Sequence, residues 1–283
     1  MFSIAIPTFN NLDYLKLCLK SLSKNTKIKY EIVAHVNDGN DGTKSYLDNL
    51  GISYSHSDTN IGLCSAINKA VKLANYDYII YSHDDVYFCP GWDTILKEEI
   101  DKINHNKFYF SCSLIERNSG HIKFDCGKDF SSFDEAKLLN NLDNINFYDH
   151  QGTHWSPLCV HKELWNKISG FSEEFNPGIG SDPDFNMKLW MEGVRLFKGI
   201  NNFKVYHFGS LTTRKNKNVV QNRGDNVFLK KWGFSIRFFK KFYLRTNTRF
   251  TAPLSNPIKN LNFYINLFFC KVKLLYLNIF NHD

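Results

Sequence analysis

Through the first hundred residues, short apolar runs alternate with segments of helical period, and the runs end in polar clusters. Phe2–Ile6 is apolar and closed by Pro7, which reads as a strand. Asn11–Ser23 places Leu12, Leu15, Leu19 and Leu22 on one helical face. Glu31–Val36 is a second strand, ended by the turn signal Asn37-Asp38-Gly39. Asp41–Leu50 reads as a helix, Ser53–His56 as a short strand and Ile61–Ala74 as a helix. Tyr76–Ser82 is the next strand; it delivers Asp84 and Asp85 before Pro90-Gly91-Trp92 turns the chain. Strands and helices alternating at these lengths predict an α/β fold with a mostly parallel sheet flanked by helices.

In such sheets ligands bind beyond the carboxyl ends of the strands. Thr8-Phe9-Asn10, Asn37-Asp38-Gly39 and Asp84-Asp85 all fall there. Paired carboxylates at the end of a buried strand are costly unless they hold a cation or a ligand hydroxyl, or cap a following helix. Three polar strand ends meeting in one crevice favour the ligand over the cap.

Beyond residue 108 the pattern loosens. Phe108–Ile115 reads as a strand, Asp125–Asn146 as a polar, loop-rich insertion and Gln151–Trp165 as a return to apolar periodicity. A second polar cluster, Gly178–Asp184, precedes a predicted helix over Phe185–Glu192, and a strand over Lys204–Tyr206 delivers His207. The seven cysteines are odd in number and form no CxxC pair, which predicts reduced, buried thiols and a cytoplasmic setting. The opening MFSIAIPTFN has no basic stretch before its apolar run, unlike a signal peptide.

The motifs occur in an order that resembles the GT-A-fold glycosyltransferases of family 2. The opening IAIPTFNNLDYLKLCLKSL is similar to that family's first strand and helix, and EIVAHVNDGNDGT to its second strand and acidic turn, with Asn37 in place of the first aspartate. Asn60-Ile61-Gly62 with Ala66 and Asn68 resembles the N-x-G…A-x-N segment, and SHDDVYFCPGW the metal-binding D-x-D region. GFSEEF followed by SDPDFNMKLWMEG resembles the G-F-D-E and E-D-x-D stretch, and His207-Phe208-Gly209-Ser210 the histidine that closes the site. In the D-x-D triplet His83 stands for the first aspartate and Asp85 for the second; Ser181 replaces the glutamate of E-D, and Asp182 keeps the aspartate.

The resemblance implies a GT-A (Rossmann-like) catalytic domain over 1–215, with a nucleotide-sugar half to about residue 115 and an acceptor half after it. It implies transfer of a sugar from a UDP-, GDP- or dTDP-linked donor to a hydroxyl of a glycan or lipid-linked acceptor, with inversion. Asp182 is then the general base, held outside a helix that starts near Asp184. Asp85 and His207 hold Mn²⁺ or Mg²⁺, with imidazole favouring Mn²⁺. Pro7, Thr8, Asn10, Asp38, Asn60 and Gly62 line the nucleotide pocket, with Asp84 at the ribose or donor sugar. His154, Trp155 and Ser181 face the acceptor, although Trp155 and Trp190 also read as core residues. The changes at His83 and Ser181 leave a second reading, a GT-A-like scaffold without catalysis. A nucleotidyltransferase is disfavoured because Pro7-Thr8-Phe9-Asn10 is not a Gly-rich basic loop.

The net charge of +7 is concentrated at one end: residues 226–282 hold ten Lys or Arg and no Asp or Glu. This basic, aromatic extension, 216–283, reads either as helices packed on the catalytic domain or as a peripheral contact with an anionic membrane through 230–283. Lys271 and Lys273 interrupt its apolar run, which argues against a transmembrane helix. No RNA- or DNA-binding module is recognisable, so no nucleic-acid partner is expected.

Overall fold

The computed structural model of the protein describes residues 1–209 and 224–280. The boundary expected at 215/216, and the Ser210–Thr213 segment after His207, lie outside them. The first strands, β1 (Phe2–Phe9), β2 (Tyr30–Asn37), β3 (Ser53–Ser57) and β4 (Tyr78–Tyr81), form the parallel part of one sheet in the order β3-β2-β1-β4. β1 is buried on both faces, which explains its near-continuous apolar run. Its register pairs Phe9 with Asn37 and Ala5 with Tyr81, so the ends of β1, β2 and β4 open toward one crevice as expected.

Beyond β4 the sheet continues through β9 (Leu158–His161), β6 (Phe108–Glu116), β10 (Leu196–His207) and β5 (Val86–Phe88). β9 runs antiparallel to both its neighbours; β10 is parallel to β6 and antiparallel to β5. β10 is 12 residues long, far more than the expected Lys204–Tyr206, because it passes through an irregularity between Gly199 and Lys204 and resumes pairing. That interruption, with Asn201 and Asn202 inside it, hides the full strand from a reading by alternation.

Helices cover both faces. On one, α1 (Leu12–Asn25) and α4 (Trp92–Asp101) pack with Phe2, Phe88 and Phe203. On the other, α3 (Leu63–Val71) and α7 (Ser181–Met191) share a core with α8 (Gly224–Trp232) and α9 (Ile236–Phe239) of the basic extension. Phe228, Phe239 and Leu244 are fully buried there with Phe175 and Phe185. The first part of the extension is therefore integral to the catalytic core. All seven cysteines are free and buried, as expected.

The two halves are tied by side chains. The Asn176 carboxamide oxygen accepts the Cys64 N–H at 2.9 Å and its nitrogen donates to Ser65 Oγ at 2.8 Å, filling the open N-terminus of α3. Gly62, at φ +84°, is where this carboxamide fits: a Cβ there would lie 2.4 Å from Asn176 Oδ1. Asn68 makes a reciprocal pair with the Phe171 backbone, 2.8 Å each way. The last helix, α10 (Leu261–Phe280), docks along one side only. By length and composition alone it is long and apolar enough to cross a membrane, although Lys271 and Lys273 lie at its middle.

If the extension belongs to the core, truncating one of its buried rings should destabilise the whole domain. Phe228→Ala should lower unfolding free energy by about 3–5 kcal/mol, read from denaturant melts of catalytic-domain tryptophan fluorescence.

Candidate active site

Sheet register assembles the first cluster. His207 at the end of β10 lies opposite Val86, and Ile115 pairs with Tyr206, so Asp85, His207 and Glu116 meet at three adjoining chain segments. His207 Nδ1 bonds Glu116 Oε1 at 2.6 Å, and its Nε2 lies 3.4 Å from Asp85 Oδ1. That Nε2 is buried and has no hydrogen-bond partner among the described residues. His83 Nδ1 approaches Asp85 Oδ1 at 4.0 Å, while its Nε2 is held by Tyr81 Oη at 2.8 Å. One ligand atom from each of His83, Asp85 and His207 lies within 4.8 Å of the others.

The electrostatics divide the two imidazoles. Burial pushes His83 down to about 4, against the pull of Asp85. Burial would do the same to His207, but Asp85 and Glu116 reverse it and hold the imidazole up to about 10. A ring nitrogen 3.4 Å from the Asp85 carboxylate, with the other nitrogen fixed by the Glu116 carboxylate, could exchange its proton for a metal ion. The donor set of one carboxylate and two imidazoles fits a divalent transition ion such as Mn²⁺. His83 thus joins the expected Asp85 and His207. Glu116 was missed; its only signal was a carboxylate at the end of the Phe108–Ile115 apolar run.

Asp84 faces the other way. It is buried, accepting from Thr8 Oγ1 at 2.6 Å and Asn11 Nδ2 at 3.0 Å. Burial and then Asp85 raise its carboxyl, and the Thr8 and Asn11 donors oppose them. Both carboxylate oxygens are engaged by the protein, so Asp84 clasps β1 to the triplet rather than projecting toward a ribose. The same bond occupies the Thr8 hydroxyl, and Pro7 is buried beside it.

Asn10 and Asp38 meet at the neighbouring strand ends, both with left-handed backbones at φ 45° and 61°. Asn10 Nδ2 donates to Asp38 Oδ2 at 2.9 Å, and Asn10 Oδ1 accepts the Gly39 and Asn40 N–H groups at 3.0 and 3.1 Å. Asn10 is exposed and Asp38 half-buried, so the pair forms a braced polar rim. Asn60 Oδ1 accepts the Gly62 N–H at 2.9 Å, shaping the turn before α3.

The second cluster begins at α7, which starts a turn earlier than the sequence suggested. Gly180 at φ +85° supplies the break, Ser181 is the first helical residue, and Asp182 therefore lies inside the first turn. Pro183 is tolerated there because its missing N–H has no intrahelical partner to lose. Asp184 is not the cap. Its fully buried carboxylate accepts from Ser172 Oγ at 2.6 Å and Trp232 Nε1 at 2.8 Å, and pairs with Lys231 Nζ at 3.0 Å. Ser181 Oγ donates to the Gly178 carbonyl at 2.6 Å, which turns it inward rather than toward an acceptor.

Asp182 Oδ1 is buried without a hydrogen-bond partner among the described residues. Burial pushes its carboxyl up to about 7, with Lys240 of the extension opposing. Lys240 also adds to the burial that pushes His154 down to about 3. Trp155 is half-buried: its Nε1 donates to the Cys112 carbonyl at 3.1 Å and its ring lies 4.8 Å from that of His154. Trp190 is a core residue, under Arg195 with 3.9 Å from guanidinium to ring centre.

Residues 3–156 match the family described as glycosyl transferase family 2. The chain belongs to that family. Its catalytic domain is that of a glycosyltransferase with a GT-A fold. It is 27% identical over 239 residues to a chondroitin synthase of Pasteurella multocida, covering 72% of this chain and 24% of that protein. It is 26% identical over 187 residues to the abequosyltransferase RfbV of Salmonella typhimurium, covering 59% of this chain and 55% of that protein. The chain thus spans between about a quarter and about half the length of these relatives. The fold is shared with S. aureus TarS 1–349, at TM-score 0.58 and 16% identity, covering 98% of this chain and 82% of that one. The TarS fragment has also been solved in complex with UDP-GlcNAc, at TM-score 0.54 and 18% identity, covering 87% and 74% of the two chains.

In this transferase domain Glu116 fixes which nitrogen of His207 faces Asp85. Glu116→Gln should weaken Mn²⁺ binding by roughly 10–100-fold while leaving the fold intact, as read by titration calorimetry and a parallel melt.

Proposed function

We propose that the protein transfers a sugar from a nucleotide-diphosphate donor to an acceptor hydroxyl, with Asp182 as general base. The observation that carries this reading is the Asp182 carboxylate: half-buried, with Oδ1 buried and unpartnered among the described residues, and raised to about 7 in the first turn of α7. A carboxylate with that pKa is ionised near neutral pH yet basic enough to take a proton as the hydroxyl attacks the anomeric carbon. Asp182 and Asp85 both help raise the buried Tyr81 phenol, so the two carboxylates lie within electrostatic reach of one side chain. Attack from the Asp182 side, opposite the departing diphosphate, gives a single displacement with inversion.

Asp85, His83 and His207 would hold a divalent cation, Mn²⁺ or Mg²⁺, which when bound offsets charge on the diphosphate leaving group. Asn10 and Asp38 would meet the nucleoside, with Pro7, Asn60 and Gly62 shaping the pocket and Thr8 and Asp84 bracing it. The TarS complex with UDP-GlcNAc supports a nucleotide sugar as donor, here UDP-, GDP- or dTDP-linked. His154 and Trp155 face the acceptor, a glycan or lipid-linked glycan, and Lys240 adds positive charge on that side. The reaction takes place on the cytoplasmic side, at a membrane face where lipid-linked acceptors are displayed.

Asp182→Asn should cut kcat by about 10²–10⁴-fold with little change in donor affinity, measured by donor turnover against a UDP-, GDP- and dTDP-sugar panel with Mn²⁺. Below about pH 7 the raised carboxyl is protonated and cannot accept a proton. The wild-type rate should therefore fall as pH drops through that value and level off above it. A flat profile from about pH 5.5 to about 8.5, roughly 1.5 units either side of the transition, would remove Asp182 from the base role.

A further inference from the structure

The geometry points to α10 as an in-plane membrane helix: we infer that its outward face inserts into one leaflet of an anionic lipid bilayer. This extends the membrane-face reading above and does not depend on the transfer chemistry.

The 20 residues of α10 divide into three strips at helical spacing. Phe263, Cys270 and Leu277, seven apart, form the docked seam and are the buried residues of the helix. Phe263 packs on Phe238 and Phe242, with ring centres 4.9 and 5.2 Å away, and Cys270 Sγ accepts the Ser235 N–H at 3.4 Å. The opposite strip is Leu261, Ile265, Phe268, Val272, Leu275 and Ile279. All six are apolar and each is between 47% and 76% exposed. Between seam and strip, by the same spacing, lie Asn262, Asn266, Phe269, Lys273, Tyr276 and Phe280 on one flank and Tyr264, Leu267, Lys271, Leu274 and Asn278 on the other. The exposed apolar surface thus runs past the strip through Phe269, Phe280 and the rings of Tyr264 and Tyr276, with Lys271 and Lys273 as its basic residues, a composition that suits the headgroup boundary. Lysine stems can follow the apolar surface while their ammonium groups reach phosphate.

Two alternatives fit less well. Lys271 and Lys273 sit at the middle of the helix, so crossing the bilayer would place both near its centre, a costly position for charge. The seam also docks the helix on protein from its first turn to its last, so a span would draw the packed residues Phe238 and Phe242 into the bilayer with it. Pairing with a second copy through the outward strip would bring the central lysines together whether the helices ran parallel or antiparallel. No acidic residue from 226 to 282 could offset them. Anionic headgroups supply the missing charge.

The test is flotation of the full chain with phosphatidylcholine vesicles, with and without phosphatidylglycerol, in the absence of any donor. Binding should require phosphatidylglycerol and should be released by alkaline carbonate. The double variant Phe268→Asp/Leu275→Asp changes two exposed side chains, so it should melt like wild type yet bind at least about tenfold more weakly. Lys271→Gln/Lys273→Gln should weaken binding about tenfold and flatten its salt dependence. Failure of the wild type to bind phosphatidylglycerol vesicles would overturn the inference, as would resistance to carbonate. A wild-type dimer in sedimentation that Phe268→Asp/Leu275→Asp dissociates would overturn it too. Thermal shifts with UDP and Mn²⁺ on the same samples report on the transferase reading separately.

Discussion

Three titratable groups, one buried and two nearly so, sit side by side where β5 begins and β6 and β10 end, and they are tolerable only together. Asp85 and Glu116 without His207 would be two carboxylates in a dry site; His207 without them would be an imidazole forced neutral by burial. The Glu116 bond and the Asp85 contact let the imidazole keep its charge there. That trio depends on strand register. A slip of one residue in β10 would turn His207 to the other face of the sheet and leave both acids uncompensated. The long, interrupted course of β10 and its pairing to both β6 and β5 are therefore requirements of the site as much as of the fold.

The proposed base belongs to a different construction. Asp182 is placed by the start of α7, and that start is fixed from below by Gly180 and from the side by the buried Asp184 carboxylate. The loop before α7 is itself pinned to α3 by Asn176. The segment before α7 and the helix α3 thus share hydrogen bonds through Asn68 and Asn176, which ties the start of α7 to the first half of the sheet.

Much of this was readable in the residues because the chemistry sits where strands stop. Thr8, Asn10, Asp38, Asp84, Asp85 and His207 interrupt apolar runs, and parallel sheets expose such ends. What could not be read was direction. Asp84 and Asp85 are adjacent, so their side chains diverge, and only the presence of Thr8 and Asn11 on one side shows which one turns inward. Asp182 and Asp184 posed the same problem: the choice turns on whether the helix begins at Ser181 or three residues later, and glycine at 180 decides it through its backbone. Glu116 was invisible because its partner is 91 residues away. The two lysines of α10 looked like interruptions in a linear run, whereas around the helix they stand on its two flanks and leave the outer strip apolar.

The Asp184 anchor also bears on how this chain relates to its relatives. A fully buried carboxylate beside the base is satisfied by Trp232 and Lys231, which come from the extension, and by Ser172 from the loop before α7. The extension is thus keyed to this particular catalytic domain. Grafting it onto another family member, or replacing it with that member's own C-terminal region, would strand a charge in the core unless Ser172 and Asp184 travelled with it. For this chain the tail and the Asp184 pocket act as a key and its lock, and a sequence that keeps the aspartate without the tryptophan and lysine should be expected to carry a different donor at the same place.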